Sequence, residues 1–234
     1  MIITPHAIFI HFHKSGGQFI NRLLLQYVPG ATRLGYHLPL SEAPGYTVSL
    51  PAFGFVRNPW DWYVSWYAFN ALTPLRNPLF RITSNDGTLD FCSTIENLVR
   101  LGQPDRGSMR ESLAKLLPDS RENNMGSGLT NSLIANMHEP ERGYLTWLWR
   151  YMFFDGPPQR QLHFGRLEQL RTDLPALLHR FAINVSPEMS NAILAHPPVN
   201  TSPHEHYRGY YTTALQNLIA AREGEYIETF GYSF

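Results

Sequence analysis

One cysteine, Cys92, stands in the 234 residues. An intrachain disulfide cannot form from it, and a zinc site built on thiolates has too few ligands. Charge is scarce as well. Charged side chains make up 16% of the chain, and 19 lysines and arginines balance 19 aspartates and glutamates. With no net sign there is no broad field to attract nucleic acid, so any anion site has to be local. No apolar run approaches the roughly 20 residues that span a bilayer. The opening MIITPHAIFIHFHK has neither the basic leader nor the apolar length of a secretion signal. Repeats and low-complexity tracts are missing too. These absences lead to the expectation of a soluble, cytoplasmic protein without membrane or nucleic-acid partners, in which the sequons at Asn184 and Asn200 are accidental.

What is present is a dense aromatic content, 13% of residues, with prolines spread along the chain. A chain of this length buries roughly 70% of its unfolded surface, enough for a full core. Ala7 to Phe12 reads as a continuous apolar strand, the pattern of a strand covered on both faces. Gln18 to Val28 then sets Phe19, Ile20, Leu23, Leu24 and Tyr27 at helical spacing, and Pro29-Gly30 closes that helix. AFGFV, residues 52 to 56, is a second strand. RNPWDWYVSWYAF turns helical after it, with Asn58 as N-cap, Pro59 in the first turn and Asp61 completing a capping-box-like pattern.

Residues 72 to 145 are rich in Pro, Gly, Asn and Ser, with helical pieces near 90 to 101 and 109 to 117, and Tyr144 to Phe154 forms an aromatic helical run. RQLHFGRLEQL, 160 to 170, reads as strand, turn and helix. Thr213 to Phe230 reads as one closing helix that stops at Gly231. Strands alternating with helices predict an α/β sandwich with a mostly parallel sheet, the middle segment forming an insertion or lid.

IHFHKSGGQFINRLLL, residues 10 to 25, places a lysine and two glycines between strand and helix. Free N–H groups of a first helical turn and the helix dipole attract an anion there, and the glycines allow close approach. A tight structural turn with a surface lysine has the same residues. A Walker A motif is ruled out, because the lysine precedes the glycines and no Gly-Lys-Ser/Thr follows. Arg57 ends the second strand and Ser65 lies two helical turns on, a pairing able to hold another phosphate. Two phosphate-sized sites on adjacent strand ends point to a ligand with two separated phosphates.

IFIHFHKSGGQFI resembles the 5′-phosphosulfate loop of sulfotransferases, in the branch that reads H-I-P-K-T-G-G-T. FGFVRNPWDWYVSWYAF is similar to their 3′-phosphate motif, with Arg57, Asp61, Ser65 and Tyr67 in place. FGRLEQL and the tail from VNTSPHEHYRGYYT to FGYSF resemble further segments of that branch, the carbohydrate and glycosaminoglycan type. The resemblance implies a single sulfotransferase domain over residues 1–234, a P-loop NTPase-like sandwich with an acceptor-side insertion near 72–150. It implies transfer of the sulfuryl group of 3′-phosphoadenosine 5′-phosphosulfate (PAPS) to a hydroxyl of a carbohydrate or small molecule, without a metal, leaving adenosine 3′,5′-bisphosphate. Lys14 would meet the 5′-phosphosulfate and the bridging oxygen, and the stretch Ser15, Gly16, Gly17, Gln18 and Phe19 would cradle the 5′ end. Arg57 and Ser65 would hold the 3′-phosphate, with Arg208 as a third contact to the nucleotide. His13 departs from the family's proline and Gln18 from its Thr or Ser.

Removing a proton from a hydroxyl near neutral pH suits a histidine. Among ten histidines, His37 in RLGYHLPLSEAP is the candidate base, since the family's base occupies a similar place. His11 fits a structural role, and His204 and His206 read as solvated loop residues. A P-loop kinase, and a non-catalytic nucleotide binder on the same fold, are the alternative readings.

Overall fold

The computed structural model describes residues 1–73, 77–121, 128–155, 160–197 and 204–234. In chain order these form β1 (Ile2–Ile3), β2 (Ile8–Phe9), α1 (Gly17–Tyr27), β3 (Thr32–Arg33), β4 (Ala52–Val56), α2 (Pro59–Leu72), α3 (Pro78–Thr83), α4 (Phe91–Val99), α5 (Gly107–Ala114), α6 (Asn131–Ala135), α7 (Tyr144–Phe154), β5 (Leu162–Arg166), α8 (Leu170–Arg180), α9 (Pro187–Ala195), α10 (Thr213–Arg222) and α11 (Gly224–Phe230). The chain divides into two compact units. One comprises Met1–Arg57 with Trp149–Thr201, the other Asn58–Leu148 with Ser202–Phe234.

The first unit holds the sheet, in the order β3-β1-β2-β4-β5. β2, β4 and β5 run parallel, Ile8 facing Ala52 and Gly54 facing Phe164. β1 runs antiparallel to both neighbours, so the sheet is mixed and not mostly parallel as expected. The reason is local. Four residues join β1 to β2, whereas a parallel connection needs a crossover of about a dozen or more. Thr4 locks that turn: its hydroxyl donates to the Ala7 carbonyl at 2.7 Å and accepts from the Ala7 N–H at 2.9 Å.

All five residues of β4 are buried. Phe9, Phe53 and Phe55 share one face with Phe19, Ile20, Leu23 and Leu24 of α1, Leu174 and Leu178 of α8, and Met189 and Ile193 of α9. Truncating a ring in such a core to Ala costs about 3–5 kcal/mol. The opposite face meets Phe153, whose ring lies 5.7 Å from Phe12 and 4.8 Å from Phe164. Gly54 makes room for it, since a Cβ there would stand 2.4 Å from the Phe153 ring.

The second unit is helical. The Asn58 side chain accepts from the N–H groups of Trp60 and Asp61 at 3.0 and 3.3 Å, and Pro59 opens α2 as the sequence predicts. Trp60, Trp62, Tyr63 and Trp66 are buried. The helical pieces near 90 to 101 and 109 to 117 are α4 and α5. The closing segment, expected as one helix, is two. Glu223 sits between them at φ −98° and ψ 17°, off helical values. Its fully buried carboxylate accepts from the Thr146 N–H at 2.7 Å, the Thr146 hydroxyl at 2.5 Å, the Leu145 N–H at 3.3 Å and the Tyr63 hydroxyl. A negative group thus caps the first turn of α7, where helix dipole and free N–H groups favour it. Gly143 is needed beside it, because a Cβ would fall 2.0 Å from the carboxylate. Gly231, at φ 62°, ends α11 as expected.

Candidate functional site

β2 leads into a turn at His13 to Gly16, and α1 starts at Gly17. The turn needs left-handed backbone at Lys14, φ 55°, and at Gly16, φ 76°. Gly16 also lies under Leu167 and Leu170, which a Cβ would approach to 2.9 and 2.8 Å. Among the described residues no side chain caps α1, so its first-turn N–H groups can serve an outside acceptor, reinforced by the helix dipole. The buried Ser15 hydroxyl donates to the His13 carbonyl at 3.2 Å, and the Phe19 ring belongs to the core. Both therefore offer backbone to a ligand, while Gln18 is exposed.

Arg57 follows β4, the parallel neighbour of β2. Its guanidinium donates from Nη1 to the Lys14 carbonyl at 3.2 Å. The two cations predicted to grip opposite ends of one ligand thus stand together within the first unit. Burial, with the Arg57 charge beside it, pulls the Lys14 amine down to about 8. Two positive groups held this close raise each other's energy. A phosphate about 4 Å from either would gain about 4 kcal/mol per charge pair at an effective dielectric of 20.

His37 lies in the loop after β3, half-buried and at φ 49°. Its Nδ1 is 3.0 Å from the His11 carbonyl oxygen. A carbonyl only accepts, so Nδ1 carries the proton and Nε2 of the neutral ring keeps its lone pair. The His37 ring stacks on His13, with centroids 3.8 Å apart and planes at 17°, and meets His11 at 4.4 Å. Burial, then His13 and His11, hold the His37 imidazole well below its usual range. It is therefore neutral near pH 7, with the lone pair on Nε2.

His11 is buried, and burial with nearby positive groups brings it to about 3. The Asn21 amide donates to its Nδ1 at 3.0 Å. The ring presses on Gly17, where a Cβ would be 1.9 Å from His11 Cδ2. The second glycine of the loop thus serves the histidine as much as any ligand. Asn21, Tyr36 and the His13 stack escape sequence reasoning. A polar residue on the apolar face of α1 is the only signal of Asn21, and its partner is not local.

Ser65 and Arg208 belong to the second unit. Ser65 is buried on α2. Arg208 is exposed, donates to the Phe234 carbonyl at 2.8 Å, and lies over the Tyr207 and Phe234 rings at 5.9 and 5.6 Å. The Asn200 to Ser202 part of the tail motif, and the Asn200 sequon, lie outside the described residues. Among the described residues no group of three or more His, Cys, Asp or Glu could hold a metal ion, and no helix is long and apolar enough to cross a membrane. A scan against protein-family models matches none of them, and a search of curated proteins finds no match either.

Proposed function

We propose that this protein is a sulfotransferase that uses PAPS and a hydroxyl-bearing acceptor, carbohydrate or small molecule, on a P-loop NTPase-like sandwich in the cytoplasm. One observation carries the reading: Arg57 rests on the Lys14 carbonyl at the tips of two parallel strands, beside an uncapped helix start. Backbone N–H groups of the first turn of α1, with Lys14 and Arg57, fit a ligand rich in anionic oxygen. When bound, the donor supplies an activated sulfuryl group and a bisphosphate leaving group.

The chain's own residues do the rest. Lys14 can neutralise charge on the leaving oxygen, and removing one such placed donor typically costs about 2.7–4 kcal/mol of barrier. Even lowered to about 8, the Lys14 amine is mostly protonated at neutral pH. The bare Nε2 of His37 can accept the proton of an acceptor hydroxyl, since Nδ1 is committed to the His11 carbonyl.

Calorimetric titration with adenosine 3′,5′-bisphosphate, and with ATP, both without metal, tests the reading. Tight binding of the bisphosphate and little of ATP is expected, and Arg57→Ala should abolish the preference. His37→Ala should spare bisphosphate binding and remove turnover. Selective stabilisation by ATP with magnesium would overturn the sulfotransferase assignment in favour of a kinase.

A further inference from the structure

We propose that His13 is the residue that positions His37, its flat ring fixing where the proton-accepting Nε2 points. The chemistry rests on the sulfotransferase reading; the geometry does not. His37 is anchored at one edge by its Nδ1 bond to the His11 carbonyl. A single hydrogen bond leaves a ring free to rotate about that contact. A second constraint is needed to hold Nε2 in one direction, and the His13 ring supplies it from below, nearly parallel at 3.8 Å. His11 closes a third side at 4.4 Å, tilted by 48°.

Stacked rings at this separation do not share a hydrogen bond through their faces, so His13 neither takes nor hands on the proton. It acts by contact and by charge. Its charge opposes an imidazolium on His37, one of the causes that hold that group low. The groups around the pair are His11 from β2, Tyr36 from the same loop as His37, its ring 5.7 Å from His11, and Arg33 from β3, with its guanidinium 4.9 Å from the Tyr36 ring. Lys14 adjoins His13 in the chain. The amino terminus of Met1 acts on His37 in the same direction as His13 and His11, all three opposing its protonation.

The test uses His13→Ala and His13→Phe in the full chain. Histidine ring resonances are followed by NMR against pH without ligand, and donor consumption is measured with a neutral sugar and with phenol as acceptors. In His13→Ala the His37 titration should move up toward the ordinary value of about 6.5. Turnover should fall roughly 10²-fold, the loss expected of a misaimed group, with KM for the donor unchanged. His13→Phe, which keeps the flat face, should restore turnover. An unmoved His37 titration in His13→Ala would overturn the proposal. So would equal loss of turnover in both variants, since the nitrogens of His13 would then matter and not its face. Failure of the wild type to bind the bisphosphate would sink the sulfotransferase reading alone, leaving the NMR comparison to decide the role of His13.

Discussion

Replacing Lys14 with Met probes the electrostatics of the loop apart from any ligand. Burial and the neighbouring Arg57 bring the amine from 10.5 to about 8 in the folded chain. At about 1.4 kcal/mol per pH unit, holding that proton costs the fold about 3 kcal/mol at neutral pH. Below pH 8 both folded and unfolded chains carry the proton, and the cost stands in full. Between 8 and 10.5 the folded chain has released it while the unfolded chain has not, so the folded state gains stability as pH rises. Above that range the cost is gone. Met keeps the length and the aliphatic body of the side chain and meets the same left-handed backbone, φ 55°. The variant should therefore be more stable than the wild type by up to about 3 kcal/mol at pH 7, with the gap closing by about pH 10. Urea unfolding followed by circular dichroism at both pH values measures this, and calorimetry should show bisphosphate binding lost. A variant no more stable at pH 7, or a gap independent of pH, would refute the claim that the loop stores a cation at the expense of the fold.

Two further substitutions test the supports of each unit. Glu223→Ala strips the acceptor from two N–H groups and two hydroxyls, and should destabilise by about 3 kcal/mol or more in urea, whereas Tyr63→Phe, which removes one donor to a charged group, should cost about 1.5–3 kcal/mol; equal effects would deny the carboxylate its central place. Gly17→Ala should lower stability by about 1–3 kcal/mol through the clash with His11, although Ala is the better helix former by about 1 kcal/mol. A higher melting temperature for this variant would show that His11 yields at no cost.

Local signals made much of the fold legible. β4 has the bounds read from AFGFV, and α1 begins one residue before the predicted start and ends one residue before the predicted end. Asn58 with Pro59, and Gly231, mark helix ends by their own chemistry. β1 and β3 were illegible because each has two residues held by pairing, not by composition. The break at Glu223 comes from a carboxylate drawn to residues 77 and 78 positions away, which helical periodicity cannot register. At the site, the nearness of Lys14 and Arg57 follows from two strand ends being parallel neighbours, and the pattern foresaw it. The tie from His37 to His11 spans 26 positions, and the His13 stack depends on a left-handed turn at each ring's loop. Neither could be read without coordinates.

The oxygen that fixes the tautomer of His37 belongs to the main chain of His11. No amino-acid replacement at position 11 can delete a carbonyl, so mutational drift there alters packing while the proton stays where it is. The basic nitrogen is inherited with the path of the backbone, and only a shift of strand or loop can turn it over.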